Sequence, residues 1–151
     1  MVPADFALVV AKFGLKHFSA GELLVKGASN GNPEHSAFGL NTDPPKALWD
    51  NIGPTIMLLD RLREKIGAPI HCTSIYRSPP YNAAIGGAKN SQHMKFNAID
   101  FVVLKSGTGP EDWAAVLRQW RDAGEFKGGL HAYVQDGFVH VDTRGKNADW
   151  E

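Results

Sequence analysis

The chain of 151 residues has the composition of an ordinary globular protein, with 43% hydrophobic and 21% charged side chains. Its 16 basic side chains balance 16 acidic ones, so the formal net charge is zero and nothing predicts binding to nucleic acid or to an acidic membrane surface. This length predicts one domain over residues 1–151.

The sequence predicts no internal disulfide, no membrane helix and no signal peptide. Its single cysteine, Cys72, cannot form an internal disulfide, and we expect it to be buried as a small apolar side chain. No run approaches the roughly 20 apolar residues that a membrane helix needs. Residues 1–10 contain an early acidic residue and no basic region, so no signal peptide is predicted.

Helical patterns dominate the first half of the chain. Apolar residues at helical spacing predict a short helix over 5–13. Ser19 and Glu22 form a capping-box pattern, which predicts a second short helix that stops by Gly27. Residues 28–45 are rich in Gly, Asn and Pro, which indicates a loop.

The longest helical pattern covers residues 46–66, where five apolar residues form one stripe. Pro54 predicts that this helix kinks or begins near Gly53. Another amphipathic helix is predicted over 110–123, with Pro110 at its start and acidic residues in its first turn. The stripe of the longer helix consists of Leu48, Ile52, Ile56, Leu59 and Leu62.

Four runs have the character of strands. β-branched and aromatic residues mark one run over 69–75 and another over 97–104. The runs 128–134 and 138–143 flank an Asp-Gly turn signal, which predicts a hairpin. Helices, then two strands, a helix and a hairpin are typical of an α+β fold, in which an antiparallel sheet carries helices on one face.

Three residues in and beside these strands form a metal-ligand pattern. His93 precedes the 97–104 strand, Asp100 lies within it, and His140 lies in the second strand of the hairpin. A carboxylate in an apolar strand is costly unless it is paired or binds a metal. Two imidazoles and one carboxylate leave a fourth position for water, as in a catalytic zinc site, so we predict that this set binds Zn2+.

Several motifs of the chain occur together in one known family. They are S-x-H-x(6)-D over Ser91–Asp100, H-x-D over His140–Asp142, and a strand with a GYRSP-x-x-N-like motif over 73–82. Residues 83–93 match the run into the first ligand, and 18–23 match an F-S/T-x-x-E-L segment. In this combination the chain resembles the zinc D-alanyl-D-alanine carboxypeptidase family. That family includes peptidoglycan endopeptidases and phage endolysins, and it shares its fold with the hedgehog signalling domain.

Two positions depart from the family pattern. Phe96 stands where many members have Gly. Phe138 stands two residues before His140, at a place where the family often has the base that carries the proton. The resemblance therefore implies His93, Asp100 and His140 as metal ligands, and it leaves the base open.

Three further residues are predicted to act in catalysis. Arg77 has the guanidinium group that suits a carboxylate clamp, and the resemblance implies that it contacts the substrate peptide rather than lying solvated on the surface. Asp142 is either the general base and acid or a partner that orients His140 or His93. His131 either stabilises the oxyanion as a neutral imidazole or is a structural histidine.

Nearby residues are predicted to support the site. Ser91 is expected to hydrogen-bond within the metal loop, because the chain has no G-x-S-x-G motif that would make it a nucleophile. Tyr133 and Trp150 are expected either in aromatic core packing or along the cleft.

The resemblance implies a zinc metallopeptidase that hydrolyses peptidoglycan, as a D,D-carboxypeptidase or as an endolysin-like endopeptidase. On this hypothesis the metal activates water and polarises the scissile carbonyl. The alternative is a non-catalytic, hedgehog-like binding module that keeps its zinc. We expect a monomer whose partners are peptidoglycan stem peptides, with no nucleic acid or membrane. The sequence leaves the localisation open: with no signal peptide predicted, an enzyme made in the cytoplasm would need another route to the cell wall, such as the release of phage lysins that the resemblance suggests.

Overall fold

The computed structural model describes residues 2–150, which form one four-stranded antiparallel sheet with helices packed against it. The strands, in the order β1-β2-β4-β3, are β1 (Ile70–Ser74), β2 (Ala98–Val103), β3 (Leu130–Tyr133) and β4 (Phe138–Asp142). The α-helices are α1 (Ala4–Ala11), α2 (Gly53–Ile66), α3 (Pro79–Ala84) and α4 (Pro110–Asp122). Short 3-10 segments cover Glu22–Leu24, Ser29–Gly31, Lys46–Ile52 and Gln92–Lys95. The predicted α+β class is confirmed.

None of the helices within residues 2–150 is both long and apolar enough to cross a membrane. The single domain predicted over 1–151 stays a prediction, and residues 1 and 151 lie outside the described range.

One face of the sheet is apolar and faces the helices. Ile99 and Phe101 of β2 alternate with Asp100, and Val139 and Val141 of β4 alternate in the same way; these four apolar side chains are fully buried. Helix α4 contacts β2, β3 and β4, and α2 contacts α4 and β2. The opposite face of the sheet is therefore left to carry the polar residues.

The predicted helix over 46–66 divides at Gly53. A 3-10 segment ends at Ile52, α2 begins at Gly53, and Pro54 lies in its first turn, where the missing N–H costs no hydrogen bond. A Cβ on Gly53 would lie 2.8 Å from the ring of Phe13, so this close approach needs glycine. Of the two alternatives for Pro54, the helix begins here rather than kinking.

The short helix predicted after Ser19 is reduced to one turn. Its capping box forms, since the Glu22 N–H donates to Ser19 Oγ at 3.3 Å and the Ser19 N–H donates to Glu22 Oε1 at 3.0 Å. The 3-10 turn then ends at Val25, whose ψ of 135° directs the chain away from a helix. The predicted start and the predicted stop before Gly27 are correct, but the segment is a single 3-10 turn rather than an α-helix.

Helix α3 is absent from the prediction although the sequence contains its start signal. Ser78 Oγ accepts the Tyr81 N–H at 3.3 Å, and Pro79 occupies the first position of the helix. The helix is only six residues long, too short for a periodic apolar pattern. It connects the end of β1 to the loop that forms one wall of the cleft described below.

Candidate metal centre and cleft

Strand pairing brings the predicted residues into one row on the polar face of the sheet. Asp100 of β2 lies opposite His140 of β4, and His140 lies opposite His131 of β3. Residues directly opposite on paired strands present their side chains on the same face. His93 reaches the same place from the 3-10 segment that precedes β2.

The three predicted ligands converge on one point. His93 Nε2 lies 3.2 Å from Asp100 Oδ1, and His140 Nδ1 lies 3.1 Å from the same oxygen. One ligand atom from each residue lies within 4.8 Å of the other two, and all three residues are buried. Nitrogen, oxygen and nitrogen donors in this arrangement are a set that divalent metals accept, so the group can hold a metal ion.

Asp100 is the shared carboxylate of the group. Burial raises the pKa of its carboxyl, but the two histidines outweigh burial and hold that pKa below its ordinary value. The carboxylate is therefore an anion before any metal arrives, which is the form that ligates.

His93 is oriented by the backbone. Its Nδ1 lies 2.7 Å from the carbonyl oxygen of Ile75, so Nδ1 donates and Nε2 keeps its lone pair for a metal. Burial lowers the pKa of His93, which keeps the ring neutral. The predicted support from Ser91 is also present, because its Oγ accepts the His93 N–H at 3.3 Å.

His140 is oriented by a side chain. Its Nε2 lies 2.7 Å from Asp142 Oδ2, which leaves Nδ1 for a metal. Asp142 is fully buried and also accepts the Gly129 N–H at 2.8 Å and the Arg144 Nε–H at 2.9 Å. Burial raises the pKa of Asp142, but the hydrogen bonds from Arg144 and His140 bring it below its ordinary value. These contacts favour the orienting role, and the base role of Asp142 stays a prediction.

Arg77 is built into the same centre. Its Nη2 donates to Asp100 Oδ2 at 3.0 Å and its Nε donates to Ser74 Oγ at 3.1 Å. The side chain is 16% exposed and lines the cleft, so it is not a solvated surface arginine. Arg77 fixes the second oxygen of a ligand, and its contact with substrate stays a prediction.

Phe96 explains one departure from the family pattern. It has a φ of 57°, and it is the one non-glycine residue with positive φ within residues 2–150. The left-handed conformation costs a non-glycine residue roughly 1–2 kcal/mol. The Phe96 ring is fully buried against Phe6 and Tyr76, and burial of a phenylalanine contributes about 1.5–3 kcal/mol. Core packing therefore offsets the strained turn between His93 and Asp100.

The ligand group lies in a cleft of about 470 Å³. One wall is the loop over residues 86–92, and the other is aromatic, with Tyr133, Phe138 and Trp150. Trp150 Nε1 donates to the Tyr133 hydroxyl at 2.9 Å, and its ring stands edge-on to His140 with the centroids 5.0 Å apart. Of the two alternatives for Tyr133 and Trp150, the structure places both along the cleft.

His131 lies against this aromatic wall rather than in the cleft lining. Its ring stacks on Trp150 with the centroids 5.5 Å apart and the planes 20° apart. The stacked indole favours the structural alternative for His131, and its oxyanion role stays a prediction.

Two charged residues that line the cleft are missing from the predicted site. Arg144 pairs with Asp142, two residues earlier, and Asp136 lies with an exposed side chain in the turn between β3 and β4. Within the described residues, Asp136 and the ligand Asp100 are the acidic side chains that line the cleft. In the sequence Asp136 serves only as part of a turn signal, and no motif singles out Arg144.

Comparison with known protein families matches residues 18–142 to the family described as Peptidase M15. The chain belongs to the peptidase M15 family. The resemblance to zinc D-alanyl-D-alanine carboxypeptidases is thereby confirmed at the level of the family. M15 peptidases are metal-dependent, and the buried histidine–aspartate–histidine group is where this M15 peptidase can bind its metal ion. No curated protein and no solved structure matches the chain.

Proposed function

We propose that this M15 peptidase is a zinc enzyme that hydrolyses peptide bonds in peptidoglycan stem peptides or their cross-links. The observation that carries the proposal is the convergence of His93, Asp100 and His140 on one point that opens onto a cleft. Three protein ligands are the number that a catalytic zinc takes. When bound, zinc supplies a Lewis acid that activates water for attack on a carbonyl.

The lining of the cleft supports a peptide substrate that carries a carboxylate. Arg77 lines the cleft, and its N–H groups that do not bond to Ser74 or Asp100 can donate to a substrate carboxylate. The opposite loop contributes Gly86, Gly87 and Ala88, whose small size leaves room for a peptide to lie along this wall. Stem peptides of peptidoglycan combine alanine side chains with free carboxylates.

The proton carrier in this proposal is a carboxylate that a substrate can reach. Asp142 is enclosed by hydrogen bonds and fully buried, whereas Asp136 is exposed and lines the cleft. We infer that Asp136 exchanges the proton, with Asp142 and His131 as the competing assignments. If so, Asp136→Asn lowers the turnover rate by about a hundredfold or more and leaves zinc affinity unchanged. An unchanged turnover rate in Asp136→Asn would rule out Asp136 and leave Asp142 and His131 as the candidates.

Digestion of purified muropeptides tests the function itself. The zinc-loaded protein should release D-alanine from stem peptides or split cross-linked dimers, with both products read by mass spectrometry. The control is the same protein after chelation and after zinc is restored. A protein that binds zinc stoichiometrically and leaves every muropeptide mass unchanged would support the non-catalytic binding module instead.

A further inference from the structure

We propose that Arg144 is a positioning residue of the metal centre, which holds Asp142 in place and through it fixes the ring of His140. The inference rests on the proposed metal site and adds a residue that acts one step further from the metal. It gives Arg144 a role in the site even if no substrate touches it.

Arg144, Asp142 and His140 are linked by a continuous series of hydrogen bonds. Arg144 Nε donates to Asp142 Oδ1 at 2.9 Å and Arg144 Nη2 donates to Asp142 Oδ2 at 2.7 Å, which is a two-pronged ion pair. Asp142 Oδ2 also accepts from His140 Nε2 at 2.7 Å. The planar guanidinium fixes both oxygens of the carboxylate, so the plane that receives the imidazole N–H is set as well.

Gly129 shows independently how closely this pair is packed. Its N–H donates to Asp142 Oδ1, and a Cβ on Gly129 would lie 2.5 Å from Asp142 Oδ2 and 2.6 Å from Arg144 Nη2. The conformation of Gly129 needs no positive φ, so the steric contact alone requires glycine here. The missing side chain of Gly129 therefore leaves space for the ion pair itself.

The outer side of Arg144 is also fixed. Its guanidinium carbon lies 5.6 Å from the centre of the Trp150 ring, which stands edge-on to His140. The neighbouring residue Asp149 accepts two hydrogen bonds from Arg121, at 2.7 and 2.9 Å, which anchor this segment to α4. Arg144 is thus held between an anchored indole and a buried carboxylate, and its side chain is only 22% exposed.

The test is zinc affinity in Arg144→Gln and Arg144→Lys, measured by competition with a metal-binding dye. Partners that orient metal-bound histidines contribute roughly 10–100-fold to affinity or activity. Arg144 acts on the ligand His140 through Asp142 rather than directly. We therefore expect Arg144→Gln to weaken zinc binding by about tenfold, the lower end of that range. Lysine keeps the positive charge but cannot make the two-pronged contact, so the zinc affinity of Arg144→Lys should lie between those of Arg144→Gln and wild type. The matched control is Arg61→Gln, which removes an arginine that pairs with Glu125 and stacks on Trp120 away from the cleft.

A second variant disturbs the same series of hydrogen bonds without removing a charge. Gly129→Ala places a methyl group against the Asp142–Arg144 pair and should weaken zinc binding as Arg144→Gln does. Gly31→Ala is the control, because a Cβ there has open space around it.

Three outcomes would overturn the inference. One is unchanged zinc affinity in both the Arg144 and Gly129 variants. Another is unchanged affinity with a raised KM, which would make Arg144 a substrate contact. A third is a lower unfolding temperature of the metal-free protein with unchanged affinity, which would make it structural only. If wild type itself binds no zinc, the proposed function fails before Arg144 is tested.

Discussion

The two histidines of the metal centre are held in different ways. His93 donates to a backbone carbonyl of Ile75, a partner that no side-chain substitution can remove. His140 donates to the carboxylate of Asp142, which depends in turn on Arg144 and Gly129. One histidine is therefore oriented by a backbone carbonyl, and the other by a side chain that further side-chain and backbone contacts hold in place.

This difference also affects the protons on the two rings. Burial lowers the pKa of His93. Burial also acts to lower the pKa of His140, but its hydrogen bonds with Asp100 and Asp142 outweigh burial and raise that pKa above its ordinary value. In the metal-free protein, His140 holds its proton more tightly. A metal must displace that proton in order to bind.

Removal of either histidine ligand should have the largest effect on zinc binding. The two substitutions should abolish zinc retention equally, whichever way the histidine is oriented. We expect that neither His93→Ala nor His140→Ala retains zinc after dialysis, because two protein ligands remain where a catalytic zinc needs three. Elemental analysis measures the loss, and His71→Ala on the exposed side of β1 is the control. Full zinc occupancy in His140→Ala would contradict the ligand assignment.

Asp142→Asn should weaken the orientation of His140 while leaving that of His93 unchanged. An amide cannot accept from both Arg144 and His140 as the carboxylate does, so we expect zinc affinity to fall roughly 10–100-fold. Zinc affinity and single-turnover rate should be measured on one preparation. If affinity is normal and the rate falls by a hundredfold or more, Asp142 is the general base rather than the orienting partner.

Arg77→Lys tests the cation beside His93. Lysine cannot reproduce the two contacts to Asp100 and Ser74, so we expect turnover of stem peptides to fall by about tenfold while zinc stays bound. Steady-state kinetics with matched zinc content provides the measurement. A wild-type rate would show that Arg77 neither orients Asp100 nor clamps substrate.

Ser91→Ala should have the smallest effect, because it removes a side chain beside the histidine that a backbone carbonyl orients. Loss of the hydrogen bond to the His93 N–H should cost about 1 kcal/mol of unfolding free energy, the usual size for such a cap. Zinc affinity should change little, since the Ile75 carbonyl remains. Denaturant unfolding and a zinc titration measure the two quantities. A loss of affinity as large as that of Asp142→Asn would show that the backbone contact does not suffice.

The same contrast explains what the sequence could predict. His93, Asp100 and Ser91 lie within ten residues, and the pattern of the strand around Asp100 places them together. The α+β class and the hairpin with His140 follow from periodicity and an Asp-Gly turn. The roles of Gly129 and Arg144 could not be predicted, because they depend on the exact approach of β3 to Asp142. Asp136 and Trp150 likewise gain their significance only from the walls of the folded cleft.

The position of Trp150 gives the protein a natural optical reporter. The other three tryptophans, Trp49, Trp113 and Trp120, are buried in the core, whereas Trp150 is partly exposed in the cleft beside His140. We expect the ultraviolet emission of Trp150, superimposed on that of the three buried indoles, to respond to a change of charge on the neighbouring imidazole. Occupancy of the centre can therefore be followed by intrinsic fluorescence, without any label attached to the chain.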